Sequence, residues 1–245
     1  MFLRGVFIFV FTISLASCQF TETLVFNEDG SGKMSVEMDM GEMMAFGEET
    51  MDTVGTKIDT LIYIKDILEA KKDSISKLSA AEQKKLKKME NYRMQIKMDS
   101  DANMLLFKLM ADFKSVEEVS DLLDGFGDSM DLMPGTGKDL KFDSESQSAD
   151  AMGVDYSFKN GKFKRDAYIK NKEEHKAQID SLKGVESWLE HMKYSLKYTF
   201  PKKIVKSSID DATYSLDAKT IEVSRSFVDY MKDPDILDLE VELEK

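Results

Sequence analysis

The chain has 245 residues, only three prolines and a 42% hydrophobic fraction, which argues against wholesale disorder and leaves room for a buried core. Its 46 acidic residues outnumber 34 basic ones, a formal net charge of −12 that excludes nucleic-acid or anionic-lipid binding through bulk electrostatics. The first predicted element is an export signal. Arg4 supplies a positive charge, Val6 to Ala16 is an uncharged, mostly apolar run, and the small residues Ala16 and Ser17 close it. Crossing a bilayer as a helix takes about 20 residues, so this run is too short for a permanent span. Cys18 follows it and is the single cysteine, so neither an intramolecular disulfide nor a multi-thiol metal site can be built on it.

Leu15-Ala16-Ser17-Cys18 resembles the lipobox of bacterial lipoproteins. That resemblance implies cleavage after residue 17 and lipid attachment to Cys18, which becomes the mature N-terminus. The competing readings are an ordinary secretory signal with an incidental cysteine, or a buried N-terminal helix. Gln19 stands where Asp commonly retains such lipoproteins in the inner membrane, so the resemblance implies the outer membrane. An acidic cluster after the cysteine, a mark of surface display in some bacteria, is reduced here to Glu22, which favours the periplasmic side.

Hairpins and helices then alternate. Phe20, Glu22, Leu24 and Phe26 form one alternating set and Met34, Val36, Met38 and Met40 another, with the turn signal Asp29-Gly30 between them. Ile58, Leu61, Ile62 and Leu68 fall on a helical stripe. Ser79 to Glu82 and Ser115 to Glu118 both read as capping boxes. Arg93, Gln95 and Lys97 alternate with Tyr92, Met94, Ile96 and Met98, predicting a half-buried strand that turns through "DSDAN" into "MLLFKLM". Asn160-Gly161 marks the tip of a third hairpin, suited to the positive φ angles of a type I′ turn. A long helix through "NKEEHKAQIDSLKGVESWLEHM" would bury Ile179, Leu182, Val185 and Trp188 or Leu189. "ATYSLDAKTIEVS" predicts another strand pair, and Leu237, Leu239, Val241 and Leu243 alternate with acids in a last strand that has one face on the core.

Residues 125–153 are rich in Gly, Ser and Asp without sustained periodicity, and read as a mobile insertion within one body. Limited proteolysis is expected to cut there first, with the fragments staying associated. Fragments that separate and fold alone would establish two domains instead.

Most candidate chemistry fails on residue type. His175 and His191 are separated by 16 residues, which on a continuous helix places them on different faces, so they read as surface histidines. No G-x-S-x-G elbow is present. "GTGKD" at 135–139 lacks the first Gly of a phosphate loop, since position 132 is Leu, and Asp139 would repel phosphate. Asp99, Asp101 and Asn103 match the start of a calcium loop, but Met104 and Met110 occupy the positions that need Gly and Glu. Asp121, Asp124, Asp128 and Asp131 read as an acidic, solvated loop. The 17 methionines are a stronger signal, and Met34, Met38, Met40, Met43 and Met44 crowd into one stretch. Thioethers hold Cu(I), yet Met also fills irregular cores and adaptable binding surfaces, and the alternation of Met34, Met38 and Met40 with Val36 favours the core. Copper titration distinguishes the two.

Late in the chain, Phe200, Pro201, Ile204 and Val205, with Thr220 to Val223, resemble the LppM-type lipoprotein domain, together with the early "DGSG" hairpin. Lys202 replaces the usual Gly after the Pro. The resemblance implies an α+β domain similar to lipid-binding folds, with no catalytic residues to transfer. The whole reading is a signal peptide at 1–17 and one α+β domain at 18–245, an antiparallel sheet of successive hairpins with helices packed on one face. The expected protein is a non-catalytic envelope lipoprotein that needs no cofactor and binds no nucleic acid. It is attached to the membrane through Cys18 and binds a protein partner or an apolar ligand. A Met-rich copper-handling protein and a hydrolase using a carboxylate pair are the alternatives.

Overall fold

The computed structural model of the chain describes residues 19–41, 57–120, 122, 151–183 and 189–245. Cys18, Met43, Met44, Val185, Trp188 and nearly all of the 125–153 segment lie outside the described residues.

The Asp29-Gly30 turn joins β1 (Gln19–Phe26) to β2 (Gly32–Asp39), with Gly30 at φ 85°, a conformation that costs Gly little. Gly32 is required by space, because a Cβ there would lie 2.2 Å from the Val25 carbonyl oxygen and 2.6 Å from the Phe113 ring. Then come β3 (Lys57–Tyr63), β4 (Arg93–Asp99) and β5 (Met104–Phe113). The "DSDAN" link is a turn, as its sequence suggests: the Asp101 amide donates to Asp99 Oδ1 at 3.1 Å and Asn103 takes φ 50°. Asn160 at φ 54° and Gly161 at φ 72° make the type I′ turn between β6 (Met152–Lys159) and β7 (Lys162–Ile169). The chain ends with β8 (Lys193–Thr199), β9 (Ile204–Ser207), β10 (Thr213–Tyr214), β11 (Thr220–Ser226) and β12 (Leu239–Leu243).

The class is α+β, with antiparallel hairpins as its units. The strands divide between two sheets, one ordered β10-β11-β8-β1-β2-β5-β4-β3 and the other β6-β7-β12-β9. One pair is parallel: β8 runs beside β1, with Gln19 opposite Lys193 and Val25 opposite Thr199. The inner faces of the two sheets share one core, which includes Leu24, Phe26, Leu109, Tyr198, Phe163 and Val241. Short helices complete it. Ile64 of α1 (Ile64–Ala70) and Met89 of a 3-10 turn (Met89–Asn91) are buried in that core, and Tyr230 of α5 (Phe227–Lys232) joins it at the other side. Between α1 and α5 come α2 (Lys72–Ile75), α3 (Ala80–Lys88) and α4 (Lys172–Leu182).

Three local expectations are corrected. Residues 58–62 are not helical: Ile58, Leu61 and Ile62 belong to β3, the edge strand paired with β4, and helix begins only at Ile64. Every residue of β3 except Ile62 is exposed, so its apolar side chains are not confined to one covered face, and the spacing imitated a helical stripe. Ser115 does not cap with its side chain; a 3-10 turn spans Val116–Val119, and Glu118 accepts from the Lys114 amide at 3.1 Å. His175 is buried, with Nε2 2.7 Å from the Met231 carbonyl oxygen, because α4 packs it against α5. His191 is exposed as expected.

Candidate functional site

The strongest polar constellation lies between the sheets. Alternation along β1 directs Glu22 inward with Leu24 and Phe26, and β1 is a central strand, so the carboxyl is carried to the middle of the core. Arg165 projects from β7 of the opposite sheet. Glu22 and Arg165 are both fully buried, with an Oε2–Nη2 distance of 3.1 Å. Arg165 Nε also reaches Oε1 at 3.4 Å.

Tyrosines complete the shell. Tyr156 is the cross-strand partner of Arg165 and donates to Glu22 Oε1 at 2.6 Å. In the parallel register Glu22 faces Leu196, so Tyr194 and Tyr198 flank it on the same sheet face. Tyr194 donates to Oε2 at 2.8 Å, and Tyr198 donates to Oε1. On the arginine side, Nη1 donates to the Leu237 carbonyl at 3.2 Å and Nη2 to the Tyr230 hydroxyl at 3.1 Å. The Tyr230 ring also lies 5.6 Å from the guanidinium carbon, within cation–π reach.

Burial pushes the Glu22 carboxyl up, but the Arg165 charge and the hydrogen bonds from Arg165, Tyr156 and Tyr198 outweigh it and hold the group below its ordinary range. Burial and the Glu22 charge together push the Tyr156, Tyr194 and Tyr198 phenols well above theirs. A general acid needs a raised carboxyl and a general base needs a route to substrate. Glu22 has neither, and its oxygens are saturated with donors. This arrangement fixes how the two sheets meet: it is a structural clasp.

Sequence reasoning did not assemble this clasp. Its signal was present, since Glu22 interrupts the apolar set Phe20, Leu24, Phe26, and Arg165 stands between the inward Phe163 and Ala167. Opposite charges on two otherwise apolar faces point to each other.

The methionines separate. Met34 lies in the main core, whereas Met38 and Met40 join Leu105 and Phe107 in a satellite cluster. Met34 and Met38 are four residues apart on a strand, roughly 13 Å, too far to share one ion. Among the described residues, no group of three or more His, Cys, Asp or Glu is arranged to hold a metal ion, and no helix is long and apolar enough to cross a membrane.

On the outer face of the large sheet lies an open groove of about 410 Å³. It follows the cross-strand row Thr23, Ser35, Met110, Arg93 and Tyr63, and Val25, Leu61, Lys33 and Lys108 border it. Its volume falls in the range of small-ligand sites, and its lining mixes apolar and cationic groups.

No family model matches the chain, and no curated protein matches it. Among solved structures it is similar to the NMR structure of the folded domain of the Mycobacterium tuberculosis LppM protein, at 8% identity and a TM-score of 0.40. That alignment covers 93% of this chain and 89% of that one. No residue role is transferred from it.

Proposed function

We propose that this chain is a non-catalytic lipoprotein of the bacterial envelope, held by a lipid on Cys18 at the outer membrane and facing the periplasm, and that it works as a binding module. The observation that carries the reading is the pairing of the residue next to the cysteine. Gln19, the residue after Cys18, is already paired on both sides, with Asp39 and with Lys193. The anchor would join the sheet without a linker, so the body is held close to the membrane and not on a long tether. Two or more acyl chains on such an N-terminus give stable attachment.

The closed state of Glu22 and Arg165 supports a binding role over a catalytic one, and the outer-face groove supplies a surface for an apolar ligand or a protein partner. Cys18→Ser is expected to move the protein from the membrane fraction to the soluble fraction after a high-salt wash. Its urea midpoint should stay close to the parent's, because Ser differs from Cys by one atom and the described core is built from Leu24, Phe26 and later residues. A Ser variant that remains with the membrane would refute the lipid anchor.

A further inference from the structure

The end of the large sheet opposite Gln19 carries an unusual tip. Between β10 and β11 the chain turns through Ser215 to Lys219, and this turn is tightly hydrogen-bonded. The Ser215 amide donates to the Thr220 carbonyl at 3.0 Å, and the Ala218 amide to the Ser215 carbonyl at 2.9 Å. The Ser215 hydroxyl donates to Asp217 Oδ1 at 2.5 Å, and the Lys219 amide donates to the same oxygen at 3.1 Å. The turn is also tied to the start of β9 and the segment before it, through the Ile204 amide to the Ala218 carbonyl and Lys219 Nζ to the Pro201 carbonyl, both 2.8 Å.

This rigid turn holds Leu216 in water, at 110% relative exposure. Val205 and Tyr214 beside it are 64% and 47% exposed. Polar residues usually occupy turn tips, and nothing in the fold gains from a leucine there. Lys202, Lys203 and Lys206 are exposed in the segment that carries Val205, and none of the three makes an ion pair among the described residues. Of the nearby acids, Asp211 is paired with Arg225 at 2.8 Å and Glu242, opposite Lys206, with Lys162 at 3.1 Å, while Asp217 and Glu244 accept only from neutral donors, so the three lysines exceed the uncompensated acids by one. In a chain of net charge −12, this is a local cationic excess beside an apolar point.

We propose that this tip is a membrane-contact site that inserts Leu216, Val205 and Tyr214 at the headgroup–acyl boundary of an anionic bilayer, with Lys202, Lys203 and Lys206 on the lipid phosphates. A protein partner fits less well. Lysine is depleted from protein interfaces and leucine is under-represented among their hot spots. The tip is convex, which suits a deformable surface, while long lysine stems and the amphipathic Tyr ring suit the interface itself. The β1 strand separates the Gln19 end from the tip by about 26 Å. With the Cys18 anchor in place, both ends reach one bilayer when the strands lie along it.

The test uses the chain from Gln19 onward, which contains every described element and, lacking Cys18, has no cysteine. Leu216→Cys carries an environment-sensitive fluorophore, and Asp101→Cys, exposed at the opposite end of the sheet, is the control. With vesicles of phosphatidylglycerol and phosphatidylethanolamine, the label at 216 is expected to shift to the blue and to be quenched by nitroxide lipids, while the label at 101 stays unchanged. In co-sedimentation, Leu216→Asp should weaken binding about tenfold or more. Reversing Lys202, Lys203 and Lys206 to Glu should weaken it roughly a hundredfold, as three lysines near an anionic surface imply. Equal binding by Leu216→Asp and the parent chain, or a silent label at 216, overturns the proposal. A label that shifts only when a second, unlabelled copy of the chain is added overturns it in favour of a protein contact. Because the anchor is absent, the result is independent of the lipid on Cys18.

Discussion

Arg165→Met is expected to lower the unfolding free energy by about 3–5 kcal/mol, because it leaves the Glu22 carboxylate buried without its counter-charge. For a domain whose whole stability is on the order of 5–15 kcal/mol, that is a large loss. The double variant Glu22→Leu, Arg165→Met should recover part of it, since no buried charge remains. Recovery should be incomplete, because Tyr156, Tyr194 and Tyr198 then lose the acceptor they now share.

The clasp also predicts a pH dependence of definite sign. Glu22 has its carboxyl lowered in the folded state, so its stabilising contribution is full above the ordinary carboxyl range near the reference value of 4.5. It fades as pH falls through the lowered folded value. In Arg165→Met the main lowering influence is gone and burial pushes the carboxyl up, so acid favours that folded state. The stability gap between parent and variant should therefore narrow between pH 7 and pH 4 in urea melts. A gap that widens in acid would show that Glu22 is not ionised in the native core. At the alkaline end, the raised phenols favour the folded state only while neutral, so stability should decline as pH rises above about 10.

Phe26→Ala should cost about 3–5 kcal/mol, the usual loss for truncating a buried Phe. Phe26 is 5% exposed and meets four other rings: Phe158, Phe200, Phe113 and Phe163, at centroid distances of 4.8, 5.3, 5.5 and 5.6 Å. Those rings come from β5, β6, β7 and the residue after β8, so the deletion opens the contact between both sheets. Phe26→Leu, which keeps most of the volume, should cost roughly 1–2 kcal/mol. Equilibrium urea unfolding with an unchanged m-value measures both. A loss below about 1 kcal/mol for Phe26→Ala would mean that this end of the core is a cavity and not close-packed.

The hairpins were legible because their signals are local. Asp29-Gly30 and Asn160-Gly161 announce their turns, and both take the positive φ angles such residues accept. The last strand was equally plain from Leu239 on, with Leu239, Val241 and Leu243 buried between exposed or half-exposed acids, whereas Leu237, read as its first inward residue, ends a 3-10 turn. The segment 57–63 was not, since Ile58, Leu61 and Ile62 fit a helical spacing, and only pairing with β4 decides for strand. His175 was missed for a similar reason: its burial depends on where α5 lies, more than fifty residues away in sequence.

The sequence by itself determined the α+β class, the turns, and which residues of each strand share a face, because the two-residue pleat and the turn dihedrals are properties of neighbouring residues. It also placed Glu22 on an apolar face. Only the tertiary structure decided that the strands form two sheets, that β8 lies parallel to β1, and that Arg165 is the partner waiting for Glu22. Alternation states that a face is covered but not by what. The choice of partner rests on contacts between distant segments, where summed burial, charge pairing and hydrogen-bond satisfaction select one arrangement, and no local pattern records that sum.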